Sequence, residues 1–304
     1  MTFEMLKARA AIVRGIRRFF DERGFTEVET PVRIAAPAPE PHIDCPPVTT
    51  GGFLRASPEL EMKMLLANGA DKIYQIGPCF RDGEKGSRHN PEFTMIEWYR
   101  LSATYLDILS DTRDLIASLV SHLPVFSPSH PLTFSPSHPL TFNSLRVRDA
   151  YARYAGWDPW ENWDQDRFDF DMATKIEPAL ADLGLVFLMD YPPECASLAR
   201  VSEGAGDGRG QSPEKFFAER WELYWDGLEL ANAFTELCDS AEQRRRFEAA
   251  KAERKTLKES DYPINYQFID SLNAIPAAAG VALGVDRLIM KLTGAKEILD
   301  IRAI

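Results

Sequence analysis

Cysteine is scarce in this sequence, and its spacing matches no common metal site. The 304 residues include four cysteines, and no two of them form a C-x-x-C pair. This distribution disfavours both a structural zinc site and a disulfide framework. The N-terminus also lacks the apolar stretch and the cleavage site of a secretory signal. We therefore expect a protein of the reducing cytoplasm.

Long apolar runs and a dinucleotide-binding motif are missing as well. No apolar run approaches the ~20 residues that a membrane-spanning helix needs, so no membrane segment is expected. The absence of a G-x-G-x-x-G motif argues against a Rossmann fold. Hydrophobic residues make up 45% of the chain and charged residues 27%. These values are ordinary for a globular protein and, at this length, predict one large domain.

Positive charge is in deficit. The chain has 35 lysines and arginines against 46 aspartates and glutamates, which gives a net charge of −11. The field of the whole molecule therefore repels polyanions, and tRNA is not the expected partner. Two basic clusters, Arg9 to Arg23 and Arg244 to Lys258, could form a local nucleic-acid surface, but solvated helix faces are the commoner explanation.

The spacing of apolar residues indicates an α+β protein. Strands without regular βαβ alternation predict an antiparallel sheet flanked by helices. Helices are predicted at 6–23, 57–69, 104–123 and 240–259, mainly helical structure at 145–185, and strands at 25–31, 71–81, 92–100, 186–192, 220–225, 228–234 and 280–284, the last leading directly into a helix. A tandem repeat of FSPSHPLT at 126–133 and 134–141 and a glycine-rich segment at 202–212 are predicted to be loops.

A hairpin places two acidic residues on one face of the sheet. Asp226 and Gly227, between two alternating apolar runs, predict a two-residue type I′ turn. Its register puts Glu229 opposite Tyr224 and on the same face as Glu222. Two facing carboxylates repel each other unless a cation lies between them, and Mg²⁺ bound to phosphates would be such a cation. Two solvated charges on an exposed face remain the alternative.

Two arginines are candidates for binding an anion. Arg81 ends a predicted strand and is followed by a glycine-containing loop that carries His89 and Asn90; a salt-bridged hairpin would look similar. Arg287 lies in the first turn of a helix behind Gly284, where free amides and the helix dipole favour a negative charge. A plain strand-to-helix connection is the alternative there.

Together, the segments RHNPEFTMIEWY, ERWELYWDGLELANAFTEL and GVALGVDRLIM resemble the signature motifs of the class II aminoacyl-tRNA synthetases, most closely those of the lysine branch. The resemblance implies a class II synthetase-like antiparallel sheet flanked by helices. It also implies a single catalytic domain over residues 1–304 without an anticodon-binding domain. More narrowly, the chain resembles the elongation factor P (R)-β-lysine ligases, partly because Ala282 stands where lysyl-tRNA synthetases usually have glycine.

The same resemblance implies roles for particular residues. Arg81 and Arg287 would be catalytic and would hold phosphates of ATP, and Glu222 and Glu229 would bind Mg²⁺. The ATP site would comprise Arg81, Asp82, Gly83, Glu84, His89, Asn90, Phe93, Glu222, Leu223, Gly284 and Arg287. The lysine-like substrate would contact Ser57, Pro58, Glu59, Glu97, Tyr99, Glu229, Asn232, Glu236 and Ala282.

Two details of these motifs are unusual. Gly83 stands where the family has a glutamate, and Glu84 follows one place later, so the carboxylate that reads adenine is shifted or replaced. Glu229 and Asn232 can share a face only if their strand contains a bulge near Ala231 to Ala233.

The implied activity is ATP-dependent activation of (R)-β-lysine or lysine to an aminoacyl-adenylate. Transfer to a lysine side chain of elongation factor P by a cytoplasmic homodimer would follow. One alternative is a lysyl-tRNA synthetase-type enzyme or paralogue that uses α-lysine and tRNA. Another is an inactive synthetase-like binding protein, but retention of both arginines and both hairpin glutamates argues against it.

Overall fold

The computed structural model describes residues 2–122, 140–202 and 216–302. Most of the duplicated FSPSHPLT segment and of the glycine-rich segment at 202–212 lies outside these residues, so the structure does not test their prediction as loops. Within the described residues, no helix has both the length and the apolar character needed to cross a membrane.

The first helix, α1, spans Phe3–Asp21 and begins three residues before the predicted start. The Thr2 side chain caps it by accepting a hydrogen bond from the backbone N–H of Met5. The chain leaves the helix at Gly24, whose φ of +72° suits glycine. Helix α1 turns a continuous apolar face toward the core, as the helical spacing of its apolar residues predicts.

An eight-stranded sheet forms the centre of the molecule. Its strands are β1 (Thr26–Glu27), β4 (Lys72–Phe80), β5 (Glu92–Leu101), β6 (Phe142–Arg146), β7 (Leu185–Tyr191), β8 (Ala218–Trp225), β9 (Leu228–Thr235) and β10 (Ala278–Gly284), and a separate small sheet pairs β2 (Arg33–Ile34) with β3 (Phe53–Leu54). The order is β1-β4-β5-β10-β9-β8-β7-β6. β1 pairs with β4 and β6 with β7 in parallel, and the other neighbouring pairs are antiparallel. The predicted antiparallel sheet flanked by helices is confirmed.

The remaining helices lie between and beside these strands. They are α2 (Glu59–Ala67), α3 (Tyr105–His122), α4 (Val147–Ala150), α5 (Gln165–Asp171), α6 (Glu177–Leu180), α7 (Ser240–Leu257), α8 (Tyr266–Ser271) and α9 (Val285–Thr293), with π-helical turns at Tyr151–Ala155 and Met172–Ile176 and 3₁₀ turns at Ala181–Leu183, Pro193–Cys195, Leu272–Ala274 and Ile298–Ile301. The predicted helical region at 145–185 is thus confirmed for most of its length. Its first two residues belong instead to β6, a half-exposed edge strand without the apolar alternation that would have revealed it.

The hairpin of β8 and β9 has the predicted turn. Asp226 and Gly227 have φ values of +45° and +70°, as a type I′ turn requires, and Tyr224 pairs with Glu229. The required bulge is also present, but its extra residue is Leu230, just before the predicted range. Because of this bulge, Asn232 pairs with Glu222 and faces the same side of the sheet as Glu229.

The main hydrophobic core lies between the sheet and the helices α1, α3 and α9. Phe20 packs against the aromatic rings of Tyr74 and Trp98 in the sheet, with ring centroids 4.9 and 5.0 Å apart. Because side chains alternate along β5, Trp98 points into this core, and Glu97 and Tyr99 point to the opposite face. The core therefore leaves one face of the central strands free to build a site.

Replacing Ile16 by alanine should test how much α1 contributes to this core. Ile16 is fully buried. We expect Ile16→Ala to lower the free energy of unfolding by about 2–5 kcal/mol, measured by urea denaturation. Leu257→Ala is the matched control because Leu257 is 44% exposed, and it should cost less than about 0.5 kcal/mol. Equal effects of the two variants would contradict the assignment of α1 to the core.

Candidate active site

A cavity of about 360 Å³ opens on the free face of β5, β8, β9 and β10. It brings together most of the residues that the sequence predicted for the site. The predicted residues that line it are Ser57, Glu59, Arg81, Glu84, His89, Asn90, Phe93, Tyr99, Glu222, Glu229, Asn232, Ala282, Gly284 and Arg287. Pro58, Asp82, Gly83, Glu97, Leu223 and Glu236 do not line it.

Pro58 precedes α2 and lies between two residues that line the cavity. The other residues outside the cavity wall fall into three groups. Leu223 is fully buried in the main core, on the other face of β8 from Glu222. In the loop after β4, Glu84 lines the cavity although the two residues before it do not. A carboxylate therefore reaches the cavity one place after Gly83, at Glu84. Glu97 and Glu236 are fully enclosed, but each contacts residues of the cavity wall.

One part of the cavity is built around Arg81. Its guanidinium lies 5.3 Å from the ring centroid of Phe93 and pairs with Glu84 at 3.5 Å. The Nε atom of Arg81 is buried and has no hydrogen-bond partner among the described residues. A buried, unsatisfied N–H of a permanent cation is costly and marks a place where an anion would be stabilised.

Arg287 joins three segments at the same part of the cavity. Its Nη1 donates to the backbone oxygen of Glu229 at 2.9 Å and lies 3.3 Å from the Glu229 carboxylate. Its Nη2 lies 2.7 Å from His89 Nε2. Burial, and then the positive charge of Arg287, lower the pKa of His89. A neutral His89 can accept this hydrogen bond, so the arginine and the imidazole hold each other in place.

Asp286, which the sequence did not single out, fixes the start of α9. Its buried carboxylate accepts hydrogen bonds from Arg9 at 2.6 Å, from Arg302 at 2.8 Å and from the backbone N–H of Thr94 at 2.9 Å. These bonds tie α9 to α1 and β5. They also position the neighbouring Arg287 relative to Phe93.

Glu222 is held by three donors. The hydroxyls of Tyr191 and Tyr224 donate to its Oε2 at 2.6 and 2.7 Å, and Arg220 donates to its Oε1 at 2.5 Å. Arg220 also donates to Asn232 Oδ1 at 3.0 Å and therefore connects two residues of the predicted site. Sequence reasoning missed Arg220, although its position two residues before Glu222 on the same strand face was a usable signal.

The hairpin carboxylates of Glu222 and Glu229 are candidate ligands for a hard divalent cation. Burial, and then the negative charge of Glu222, raise the pKa of Glu229. A cation between the two glutamates would relieve this repulsion, and carboxylate oxygens are the ligands that Mg²⁺ prefers. The described residues contain no cluster of three or more acidic, histidine or cysteine ligands. Any ion here would share its coordination with oxygens of a bound molecule or of water.

The other part of the cavity is acidic. Glu97 is 0% exposed and accepts hydrogen bonds from the Ser57 hydroxyl at 2.6 Å and from the Tyr99 hydroxyl at 2.7 Å. Burial, and then the neighbouring charge of Glu59, raise the pKa of Glu97 to about 7. The Oε1 atom of Glu236 is buried nearby without a hydrogen-bond partner among the described residues. These carboxylates would stabilise an added ammonium group.

A resident lysine already occupies part of this acidic region. Lys63 on α2 is 1% exposed, lies 2.5 Å from the Glu59 carboxylate and also forms an ion pair with Glu236. Burial alone would lower the pKa of Lys63, but the charges of Glu236 and Glu59 raise it above its usual value. The sequence assigned both glutamates to the substrate and did not identify this internal partner.

Ala282 lies at the centre of the site. It pairs with Glu97 on one side and with Asn232 on the other, so the three side chains form a row across β5, β10 and β9 on one face. The alanine methyl lines the cavity between two residues of the predicted substrate site.

Comparison with known proteins places these features in a family. Residues 1–304 match the family described as tRNA synthetases class II (D, K and N). Several curated relatives carry the name elongation factor P--(R)-beta-lysine ligase, and three of them illustrate the similarity. The protein of Histophilus somni strain 2336 is 36% identical over 99% of this chain and 94% of its own length. Those of Proteus mirabilis strain HI4320 and Vibrio cholerae serotype O1 are 37% and 35% identical, over 98% and 99% of this chain and 94% and 95% of their own lengths.

Two glycines of β10 should respond differently to an added methyl group. A Cβ at Gly280 would lie 2.2 Å from the Tyr99 ring and 2.9 Å from Glu236 Oε1, whereas the nearest atom to a Cβ at Gly284 is 3.8 Å away. We expect Gly280→Ala to destabilise the fold by about 1–3 kcal/mol, since the ring must move. Gly284→Ala should change stability by less than about 1 kcal/mol. Urea denaturation of both variants checks this, and a stable Gly280→Ala protein would contradict the close packing of Tyr99.

Proposed function

Because this chain belongs to the class II tRNA synthetase family, we propose that it activates (R)-β-lysine with ATP and transfers the activated acyl group to a lysine side chain of elongation factor P. The observation that carries the proposal is one cavity with an anion-binding part and an ammonium-binding part. The names of the relatives support the choice of substrate and acceptor.

Strand β10 sets the spacing between the two parts. Gly280 pairs with Tyr99 beside the acidic residues, and Gly284 pairs with Met95 and leads directly into the helix of Arg287. Four residues of strand span ~13 Å. This length suits a lysine-like molecule that extends from an ammonium group at one part to a carboxylate near phosphates at the other.

The activation step needs no nucleophile from the protein. The ionised carboxylate of the substrate attacks the α-phosphorus of ATP, the bond to the leaving diphosphate breaks, and an aminoacyl-adenylate forms. Arg81, with its unpaired Nε, and Arg287 would neutralise the negative charge that develops on the phosphates. Glu222 and Glu229 would hold Mg²⁺, which supplies further charge neutralisation when bound.

The transfer step requires a neutral amine. An unperturbed lysine has a pKa near 10.4, so only about one molecule in a few thousand is neutral at pH 7. The neutral amine attacks the carbonyl carbon of the adenylate, the bond to AMP breaks, the attacking nitrogen releases a proton to solvent, and an amide bond forms. The methyl group of Ala282 would contribute about 1–3 kcal/mol to discrimination between α- and β-amino substrates.

Location and assembly belong to the same proposal. All four cysteines are free thiols, which accords with a cytoplasmic enzyme. We further propose a homodimer whose interface includes α1, because this helix corresponds to the interface motif of the class II synthetases that the chain resembles. Sedimentation of the purified protein at micromolar concentration would reveal a dimer or a monomer.

Pyrophosphate exchange tests the proposed activity directly. We expect ATP-dependent exchange with (R)-β-lysine to be faster than with α-lysine, followed by a mass increase on elongation factor P. Gly284→Ala, which fits the empty protein, should raise the KM for ATP because its methyl group blocks close approach to the backbone. Preference for α-lysine with charging of tRNA would contradict the proposal, and no exchange with any amino acid would favour a binding protein.

The pH dependence of substrate activation should follow the ionisation of the Glu97 carboxyl group. Its pKa is raised to about 7, so it is ionised above that pH and becomes protonated as the pH falls through it. We expect kcat/KM for lysine in the exchange assay to fall as the pH is lowered from about 8 to about 6, because a protonated carboxyl no longer attracts an ammonium group. Glu97→Gln should lower the rate and leave only the pH dependence of Glu236, whose pKa burial raises to about 8. A wild-type profile that stays flat over this range would contradict the role of Glu97.

A further inference from the structure

A lysine-like substrate carries two amino groups, and the site described above accounts for one of them. Glu97 and Glu236 suit the terminal ammonium, and the amino group near the carboxylate needs a negative partner of its own. A carboxylate that lines the cavity and has no cationic partner is therefore a candidate to bind this second amino group.

Most carboxylates that line the cavity already have a cation. Glu59 pairs with Lys63, Glu84 with Arg81, Glu222 with Arg220, Glu229 with Arg287, and Asp286 with Arg9 and Arg302. Glu40 also lines the cavity. Among the described residues, no lysine, arginine or histidine forms an ion pair with Glu40, and its carboxylate accepts one hydrogen bond, from the uncharged Ser197 hydroxyl at 2.6 Å.

The loop between β2 and β3 holds Glu40 firmly in this position. The backbone oxygen of Glu40 accepts a hydrogen bond from Arg254 Nη1 at 2.7 Å. Arg254 is 1% exposed and also binds the backbone oxygen of Ile43 at 3.1 Å and the Asp44 carboxylate at 2.6 Å. Ser197 then orients the side chain. The carboxylate is thus placed by the fold and does not need a bound molecule to order it.

We propose that Glu40 binds the amino group of the substrate that lies next to its carboxylate, and thereby selects substrates with two amino groups. This inference rests on the proposed function. Two physical observations support it. Burial, and then the negative charge of Glu59, raise the pKa of Glu40. An ammonium group bound to Glu40 would offset both the cost of burying its negative charge and the repulsion from Glu59. Neither nearby cation forms an ion pair with Glu40: Arg220 donates to Asn232 and Glu222, and Arg81 pairs with Glu84 at 3.5 Å. The positive charges of these two arginines only partly offset the rise in the pKa of Glu40.

The contact is tested by combining a substrate that lacks the second amino group with a protein variant that lacks the charge of Glu40. Glu40→Gln keeps the shape of the side chain and removes its charge. We expect it to raise the KM for lysine and for (R)-β-lysine in pyrophosphate exchange by about 10- to 100-fold, because a charge-assisted hydrogen bond is lost. The KM for 6-aminohexanoate, which has the terminal amine but no second amino group, should change less than about twofold. The KM for ATP should stay constant.

A control variant and the pattern of results separate the possible outcomes. Glu253→Gln removes the same charge from an exposed position on α7 and should leave all these constants unchanged. An equal loss for lysine and 6-aminohexanoate would show a general structural role of Glu40 and overturn the inference. Normal exchange with loss of transfer to the protein acceptor would make Glu40 a base in the second step and would also overturn it. Absence of exchange in the wild-type protein would instead refute the proposed function.

Ser197→Ala provides an independent measurement. Removing the hydroxyl that orients the Glu40 carboxylate should raise the KM for lysine in the same direction but by less, and again spare 6-aminohexanoate. A change of the same size for both substrates would contradict the contact.

Discussion

Charge inside a protein must be matched by opposite charge, and this constraint organises the whole site. The buried Asp286 is matched by Arg9 and Arg302, and Lys63 is matched by Glu59 and Glu236. Breaking such a pair is expensive because the remaining charge stays buried. The pairs of Asp286 with Arg9 and of Lys63 with Glu236 join elements that are distant in sequence, so satisfying these charges also assembles the cavity.

The register of the central strands sets the positions of the side chains in the site. Strand β10 pairs with β5 and β9 over its length, and its register sets Ala282 between Glu97 and Asn232. The bulge at Leu230 then returns Glu229 to the same face as Asn232. Without the extra residue, strict alternation would turn one of these two polar side chains into the hydrophobic core. A local irregularity of one strand is therefore a condition for the site to exist.

The sequence predicted the elements well where the signal was local. The DG turn, the alternation of β5 and the strand-to-helix step after Gly284 all follow from residues within a few positions of each other. The need for a bulge was also predictable, because Glu229 and Asn232 have the wrong spacing for one face. Its exact position was not, because a strand can accommodate one extra residue at several neighbouring places.

What the sequence could not reveal were the partners of the charged side chains. Arg220 and Lys63 are ordinary members of a strand and a helix until the fold brings Asn232 and Glu236 to them. Likewise, Glu40 belongs to a proline-rich loop that carries no periodic signal. Motif resemblance suggested the types of residue in the site, but it could not give these pairings. Lys63 and Glu236 are far apart in sequence, and Arg220 and Asn232 meet only because their two strands pair.

The acidic part of the cavity also links substrate binding to protons. Four carboxylates, those of Glu40, Glu59, Glu97 and Glu236, lie in or beside this part, and Lys63 forms ion pairs with two of them, Glu59 and Glu236. Burial raises the pKa of Glu97 to about 7 and that of Glu236 to about 8, so both carboxyls bind a proton more readily than they would in water. A substrate with two ammonium groups lowers these pKa values when it binds, and the protons leave. An amino acid with an apolar side chain brings only one ammonium group and leaves the negative charge of the other carboxylates without a partner. The acidic part of the cavity therefore disfavours such an amino acid.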